Sequence, residues 1–168
     1  VFDNNRDQVG RIIMSTTLEK YLQTGIGEID DHHVAIMEYF GDMFDLILAN
    51  DSREKLKSTL EFLDRIVKEH FQSEEAAMRE HSFHNYAYHK AQHDSFIEYF
   101  ERVKDSFGEK GRTSELDRQN LFYFYHWLHN HIQSLDQELA LFLRRTRDRR
   151  QKVKSGSDRS ESRPAALH

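Results

Sequence analysis

The sequence predicts an all-α protein: an antiparallel up-down-up-down four-helix bundle with an N-terminal arm and a disordered basic C-terminal tail. Three observations carry this. Apolar residues recur at helical spacing in four long segments, and no strand-like alternation competes with them. The only proline, Pro164, lies close to the C-terminus, so nothing before it breaks a helix. The turn signals between segments are short, which makes successive helices antiparallel neighbours. A chain of 168 residues suits one domain with one core.

The elements follow in order. Residues 1–29 form the arm, of which residues 1–13 are assigned no function. The first helix runs roughly from Asp30 to Asn50, with Val34, Met37, Phe40, Phe44, Ile47 and Leu48 as its apolar stripe. Gly41 sits inside it at a propensity cost of about 1 kcal/mol against Ala. The second helix opens at Asp51-Ser52, a good N-cap, carries Leu56, Leu60, Leu63 and Val67, and ends near Glu80. The third follows Ser82 and Asn85 and carries Phe96, Phe100, Val103 and Phe107, with Gly108 and Gly111 marking its end. The fourth starts near Thr113-Ser114, with Asp117 in its first turn. It carries Leu121, Phe124, Leu128, Leu135, Leu139 and Phe142, and fades after Arg145. The bundle therefore spans residues 30–146, and 147–168 is the tail. Between Arg144 and Lys154 there are seven basic residues and one acid, which reads as a solvated helix end dissolving into a disordered tail. An unidentified acidic partner for this segment is the alternative.

Composition excludes several classes. Without Cys there is no disulfide framework, thiolate metal site or Cys nucleophile. No run of 18 apolar residues exists to span a membrane. A net charge of −5 argues against a nucleic-acid partner. The polar N-terminus lacks a secretory apolar region, so a cytoplasmic location is expected.

The 11 His are the anomaly. Extending each apolar stripe leads to them. In the second helix, the steps after Val67 reach His70 and then Glu74. In the third, the steps before Phe96 reach His93 and His89. In the fourth, His131 follows Leu128, and Asp136 lies on the same broad face. In the first, His33 lies four residues before Met37. Short antiparallel connections bring these groups to one end of the bundle. Buried carboxylates are normally paired or bound to metal. Five imidazoles and two carboxylates exceed what one tetrahedral zinc needs. They suit two six-coordinate ions, one with three His and one with two, sharing both carboxylates. The carboxylate bridges favour a hard ion such as iron. Glu75 reads as solvated. His32, His81, His84, His126, His129 and His168 read as loop or surface groups, with His32 the nearest to the site.

These residues lie in four motifs that resemble the hemerythrin family, particularly its bacterial members. They are Thr24-Gly25-Ile26-Gly27-Glu28-Ile29-Asp30-Asp31-His32-His33, and His70-Phe71-Gln72-Ser73-Glu74-Glu75-Ala76-Ala77-Met78. The third is Phe83 followed by His89-Lys90-Ala91-Gln92-His93-Asp94-Ser95-Phe96, and the fourth is Trp127-Leu128-His129-Asn130-His131-Ile132 through Asp136. The resemblance covers about residues 21–143. It implies two iron ions with an oxo or hydroxo bridge, one held by His89, His93 and His131 and the other by His33 and His70. It implies Glu74 and Asp136 as bridges, Trp127 and Leu128 as walls of an oxygen pocket, and dioxygen as the ligand. The chain departs from the family at His32, where Gln is usual, at Phe83-His84, where Tyr-Pro is common, and in lacking an N-terminal Trp.

The expected function is reversible dioxygen binding for storage, delivery or buffering, by a monomer that is not an enzyme. The alternatives are an oxygen or redox sensing module, or a di-iron enzyme such as a peroxidase or nitric oxide reductase.

Overall fold

The computed structural model describes residues 22–49, 52–106 and 115–161. The segment 1–13, most of the expected arm, Phe107, Gly108, Gly111, Thr113, Ser114 and His168 lie outside the described residues. The elements are α1 (Gly27–Leu48), α2 (Arg53–Glu80), α3 (Tyr86–Ser106), α4 (Glu115–His131), a π-helical turn (Ile132–Asp136) and α5 (Gln137–Glu161). The last three follow one another without interruption and make the fourth long helix of the bundle. No strand occurs among the described residues.

Side-chain pairs fix the directions. On α1 and α2, His33 meets His70 while Tyr39 meets Phe62, so numbers rise on one helix as they fall on the other. Asp64 takes Lys104 and Lys68 takes Glu101, which sets α2 antiparallel to α3. Phe96 with Phe124 and His89 with His131 do the same for α3 and α4. Phe40 with Tyr125 and Phe44 with Phe122 close the bundle between α4 and α1. This is the up-down-up-down order the sequence predicts.

The core has two parts. The larger runs from Ile36, Phe40 and Met43 on α1 through Leu56, Leu60, Leu63, Val67 and Phe71 on α2. It continues through Phe96 and Phe100 on α3 to Leu121, Phe124 and Leu128 on α4. The smaller holds Met78, Phe83 and Leu139, with Tyr86, Phe142 and Leu143 against it. The polar stripe positions lie between the two.

α1 departs from the expected phase. Its buried residues are Ile29, His33, Ile36, Phe40, Met43 and Ile47. Val34, Met37 and Phe44 are only half-buried, and Leu48 is 82% exposed. The helix is apolar around much of its circumference, so hydrophobicity alone leaves its rotation undecided. Ile29 and His33 at its start set the rotation. It also begins at Gly27, ahead of Asp30, because Asp30 has another task. Its carboxylate accepts hydrogen bonds from the Thr24 N–H (2.6 Å), the Thr24 hydroxyl (2.7 Å) and the Gly25 N–H (2.9 Å). Residues 22–25 are thereby held across the end of the bundle. Gly25 has φ 77, a left-handed conformation that favours glycine, and a Cβ there would lie 3.0 Å from the movable end of the Arg144 side chain.

α2 starts as expected, with the Ser52 hydroxyl accepting from Lys55 N–H at 3.3 Å. It ends in a Schellman turn. Phe83 N–H donates to Met78 C=O (2.9 Å) and Ser82 N–H to Arg79 C=O (3.2 Å), with Ser82 left-handed at φ 55. Phe83 packs on Met78 beneath it. That contact fixes the turn into α3 without proline.

The fourth helix does not fade after Arg145. It continues to Glu161, and Arg144, Arg145, Arg147, Arg149, Arg150 and Lys152 stand exposed along it. Leu135, expected in the stripe, is half-buried, and Ile132 and Asp136 are buried instead. Not all apolar surface is covered: Leu48, Tyr88, Phe122, Tyr123 and Leu141 are exposed. No described helix is long and apolar enough to cross a membrane.

The corrected phase of α1 has a direct test. Met43→Ala should destabilise the fold by about 2–5 kcal/mol, as buried truncations do. Leu48→Ala should stay within about 0.5 kcal/mol of the parent. Urea unfolding of both variants measures this, and equal losses would contradict the assigned phase.

Candidate metal centre

All seven stripe positions meet in one layer. His33, His70, Glu74 and His89 are fully buried, and His93, His131 and Asp136 are at most 4% exposed. Their ligand-type atoms form two groups. Glu74, His89, His93, His131 and Asp136 make one; His33, His70, Glu74 and Asp136 make the other. Within each group the atoms lie within 4.8 Å of one another, and the two carboxylates belong to both.

Asp136 divides its oxygens between the groups. Oδ1 lies 3.1 Å from His131 Nε2 and 3.2 Å from His89 Nε2. Oδ2 lies 3.3 Å from His33 Nε2 and 3.6 Å from His70 Nε2. Glu74 Oε2 faces His93 Nε2 (3.3 Å), His89 Nε2 (3.4 Å) and His70 Nε2 (3.8 Å). Every imidazole thus aims Nε2 inward. Both oxygens of each carboxylate, and Nε2 of His33 and His70, are buried without a hydrogen bond of good geometry. Groups so enclosed cost several kcal/mol each unless something charged takes up their lone pairs.

A metal ion fits this donor set. His131 Nε2 is 3.0 Å from Nε2 of both His89 and His93. Neighbouring nitrogens bound at ~2.1 Å are about 3.0 Å apart on an octahedron and about 3.4 Å apart on a tetrahedron. His131 thus lies close enough to each of the other two imidazoles to share one ion with them.

The α-helix alone would not assemble this layer. Asp136 follows His131 by five positions, and in an α-helix the two would point about 140° apart. The π-helical turn Ile132–Asp136 absorbs one extra residue and returns Asp136 to the face of His131. That spacing of five was the available sequence signal for the turn.

Surrounding groups orient the imidazoles. His33 Nδ1 lies 2.8 Å from the Leu22 carbonyl, which makes Nδ1 the donor and leaves Nε2 for the centre. Gln137 Nε2 donates to the Gln23 carbonyl (2.8 Å) and ties the same strap to α5. His93 Nδ1 lies 3.3 Å from Glu75 Oε1. Glu75 is thus not a solvated side chain, as its place beside Glu74 suggested, but only 14% exposed and turned to the site. Phe71 stacks on His93 at 3.9 Å and Trp127 on His131 at 4.6 Å. Trp127 also packs against Phe71 and Phe96, and Phe71 borders His70 as well at 5.5 Å. Leu128 is fully buried one turn before His131. His32 is half-buried, its ring 6.1 Å from that of His70, and its Nδ1 is buried without a hydrogen bond. His84, an exposed ring, pairs with Glu138 at 3.3 Å.

Protons distribute unevenly in the metal-free layer. Burial pushes His70 down from 6.5 to about 4. Burial, aided by the neighbouring His131 and His89, drives His93 far below the ordinary imidazole range. Burial would also lower His89, but the close carboxylates of Asp136 and Glu74, which favour the protonated ring, outweigh it and raise the ring to about 9. Burial would raise Asp136, yet His131, His33 and His70 hold it well below its ordinary value. Glu74 is raised, by burial and by the charge of Asp136. The metal-free layer therefore contains an Asp136 anion beside a His89 cation, with Glu74 favouring its proton.

Stability of the metal-free chain should reflect these shifts. His70 is depressed, so its contribution is present above pH 6.5 and lost as pH falls toward about 4. His89 is raised, so its contribution is present below pH 6.5 and lost as pH rises through about 9. Denaturant unfolding after chelation should show a maximum near pH 6.5 and decline on both sides. A stability that climbs steadily to pH 9 would contradict the assignment.

Comparisons with known proteins agree with this geometry. The sequence pattern of the Hemerythrin HHE cation binding domain matches residues 24–143. A bacteriohemerythrin of Methylococcus capsulatus is 29% identical over 113 residues, 67% of this chain and 84% of the relative. One from Aquifex aeolicus is 29% identical over 112 residues, 67% of this chain and 85% of the relative. A hemerythrin from Sipunculus nudus is 29% identical over 109 residues, 65% of this chain and 77% of the relative. A crystal structure of wild-type hemerythrin superposes with a TM-score of 0.64 at 27% identity, covering 71% of this chain and 90% of that one.

Proposed function

The chain belongs to the hemerythrin family, and on that premise we propose that it binds dioxygen reversibly at a non-haem di-iron centre, as an oxygen store, carrier or buffer. The observation that carries the reading is the shared position of Glu74 and Asp136 between two groups of imidazoles. In this reading His89, His93 and His131 hold one iron, and His33 and His70 hold the other. Glu74 and Asp136 hold both, and the smaller imidazole set leaves room for a ligand. Two ferrous ions there would lend electrons to dioxygen on binding and recover them on release.

The chain's own residues favour binding over further chemistry. Five neutral imidazoles and two carboxylates leave the site less anionic than the Glu-rich sites of other di-iron bundles. The Glu-x-x-His pair of those proteins is absent from this sequence. Fewer anionic donors stabilise oxidised iron less, so dioxygen is bound without cleavage. Phe71, Phe83, Met78, Leu128 and Leu139 close the layer above and below and exclude water. Leu128 serves as an apolar wall of the pocket, whereas Trp127, expected beside it, backs His131 on the three-imidazole side.

Purified protein should contain two irons per chain and show a visible spectrum that alternates on cycles of oxygen addition and removal. His70→Ala and Glu74→Ala should each lose that spectrum while remaining helical by circular dichroism. Irreversible oxidation on first exposure, or sustained turnover of peroxide or nitric oxide, would replace binding by an enzymatic role.

One observation favours a second reading, sensing. Asp136 ends the π turn, and the same helix runs on as α5 to Glu161. A change at Asp136 would be passed to the basic segment. A spin label at Gln151, an exposed position, should report the same environment with and without oxygen if the protein only stores it. A change in label mobility on oxygen binding would support sensing.

A further inference from the structure

The imidazoles do not share one kind of support. His33 Nδ1 meets a neutral carbonyl, that of Leu22. His70 and His89 have no hydrogen-bond partner at Nδ1. His93 meets a carboxylate, Glu75, at 3.3 Å. That carboxylate is itself held. Arg79 approaches Glu75 Oε2 at 3.5 Å from one turn along α2, and the same guanidinium donates to the Tyr86 hydroxyl at 3.0 Å. Tyr86 opens α3, the helix that carries His93. The chain of contacts Tyr86–Arg79–Glu75–His93 therefore starts on α3, crosses to α2 and returns to α3.

We propose that Glu75 is a positioning residue for the three-imidazole half of the centre: it accepts a hydrogen bond from His93 Nδ1–H, so that Nε2 is presented to the metal, and it adds negative charge behind that ring. The inference rests on the di-iron reading above. Its physical basis is the carboxylate–histidine–metal arrangement, in which the outer carboxylate fixes the ring's tautomer and makes it a stronger donor. Phe71 stacks against the His93 ring at 3.9 Å and 7°, so rotation about the ring plane is already blocked. What stacking leaves undecided is which nitrogen carries the proton, and Glu75 decides that. The three-imidazole ion thereby gains an outer negative charge, whereas among the Nδ1 partners on the two-imidazole side His33 has a neutral carbonyl and His70 has none. The two halves are electrostatically unequal beyond their ligand count. The three-imidazole half is the one biased toward holding oxidised iron.

The test compares Glu75→Ala, which loses acceptor and charge, with Glu75→Gln, which keeps an acceptor and loses the charge. In metal-free protein, long-range proton–nitrogen correlation should show His93 protonated at Nδ1 in the parent and in Glu75→Gln, and a tautomer mixture in Glu75→Ala. Iron affinity should fall about 10–100-fold in Glu75→Ala, with partial rescue in Glu75→Gln. The midpoint potential of the iron-loaded centre should rise in both. An unchanged His93 tautomer together with parental iron affinity in Glu75→Ala would overturn the proposal. That outcome differs from failure of the di-iron reading, in which the parent itself would not take up two irons.

Discussion

Five imidazoles and two carboxylates lie in one layer across a bundle whose inner faces are mostly apolar. That layer is the constraint on which the rest depends. A carboxylate removed from water costs several kcal/mol unless neighbouring groups compensate it. Compensation requires each helix to bring its polar group to the same height with the correct rotation. Apolar packing is tolerant by comparison, since Leu, Phe and Met in the main cluster can slide or rotate at modest cost. The positions that can fix height and rotation sharply are the polar ones.

The local irregularities of the fold follow from this. The π turn at Ile132–Asp136 abandons regular α-helical hydrogen bonding at the point where two site residues, five apart, must share a face. The strap of residues 22–25 is held by Asp30 and Gln137, and it delivers a backbone carbonyl to His33. Ser82 accepts a left-handed conformation, which costs a non-glycine residue roughly 1–2 kcal/mol, so that Phe83 can cap the layer beside Met78. The strap carbonyl reaches His33, and Phe83, beside Ser82, lies against the His89 ring. Among the described residues, the far half of the bundle, around Leu56, Leu60, Phe100 and Leu121, has none of these irregularities.

This explains what was legible in the sequence. His70, Glu74, His89, His93 and His131 could be found because each continues an apolar stripe at helical spacing, and a stripe that ends in His or Glu is conspicuous; Asp136 joins their face only through the π turn, and His33 belongs to a buried face of different phase from the expected stripe. Ile36 and Met43 could not be separated from Val34, Met37 and Phe44, because the apolar residues of α1 surround much of that helix. Its rotation is decided by contacts with α2 and α4. Glu75 was hidden for a related reason. Beside Glu74 and one turn before Arg79, it has the pattern of a solvated ion pair. Only the approach of α3 brings His93 over it. The Leu22 carbonyl carries no side-chain signal at all. The length of α5 was missed because its exposed basic face resembles a solvated tail.

The layer also relates folding to metal binding. In the metal-free state its charges are balanced by protons, with His89 cationic beside anionic Asp136 and Glu74 inclined to remain neutral. A bound cation displaces those protons, because imidazole and carboxylate donors bind metal in their deprotonated forms. Small zinc domains obtain their fold from such binding. This bundle differs, because its larger apolar cluster spans all four helices away from the layer. Burial there supplies the main driving force for folding whether or not the site is loaded. The strap, the π turn and the Glu75 contact are then free to hold the donors apart at metal-binding distances. Binding free energy need not be spent on organising them, and what remains can stabilise the loaded state. A weakly anionic site can in this way retain its ions by preorganisation rather than by an excess of carboxylate charge.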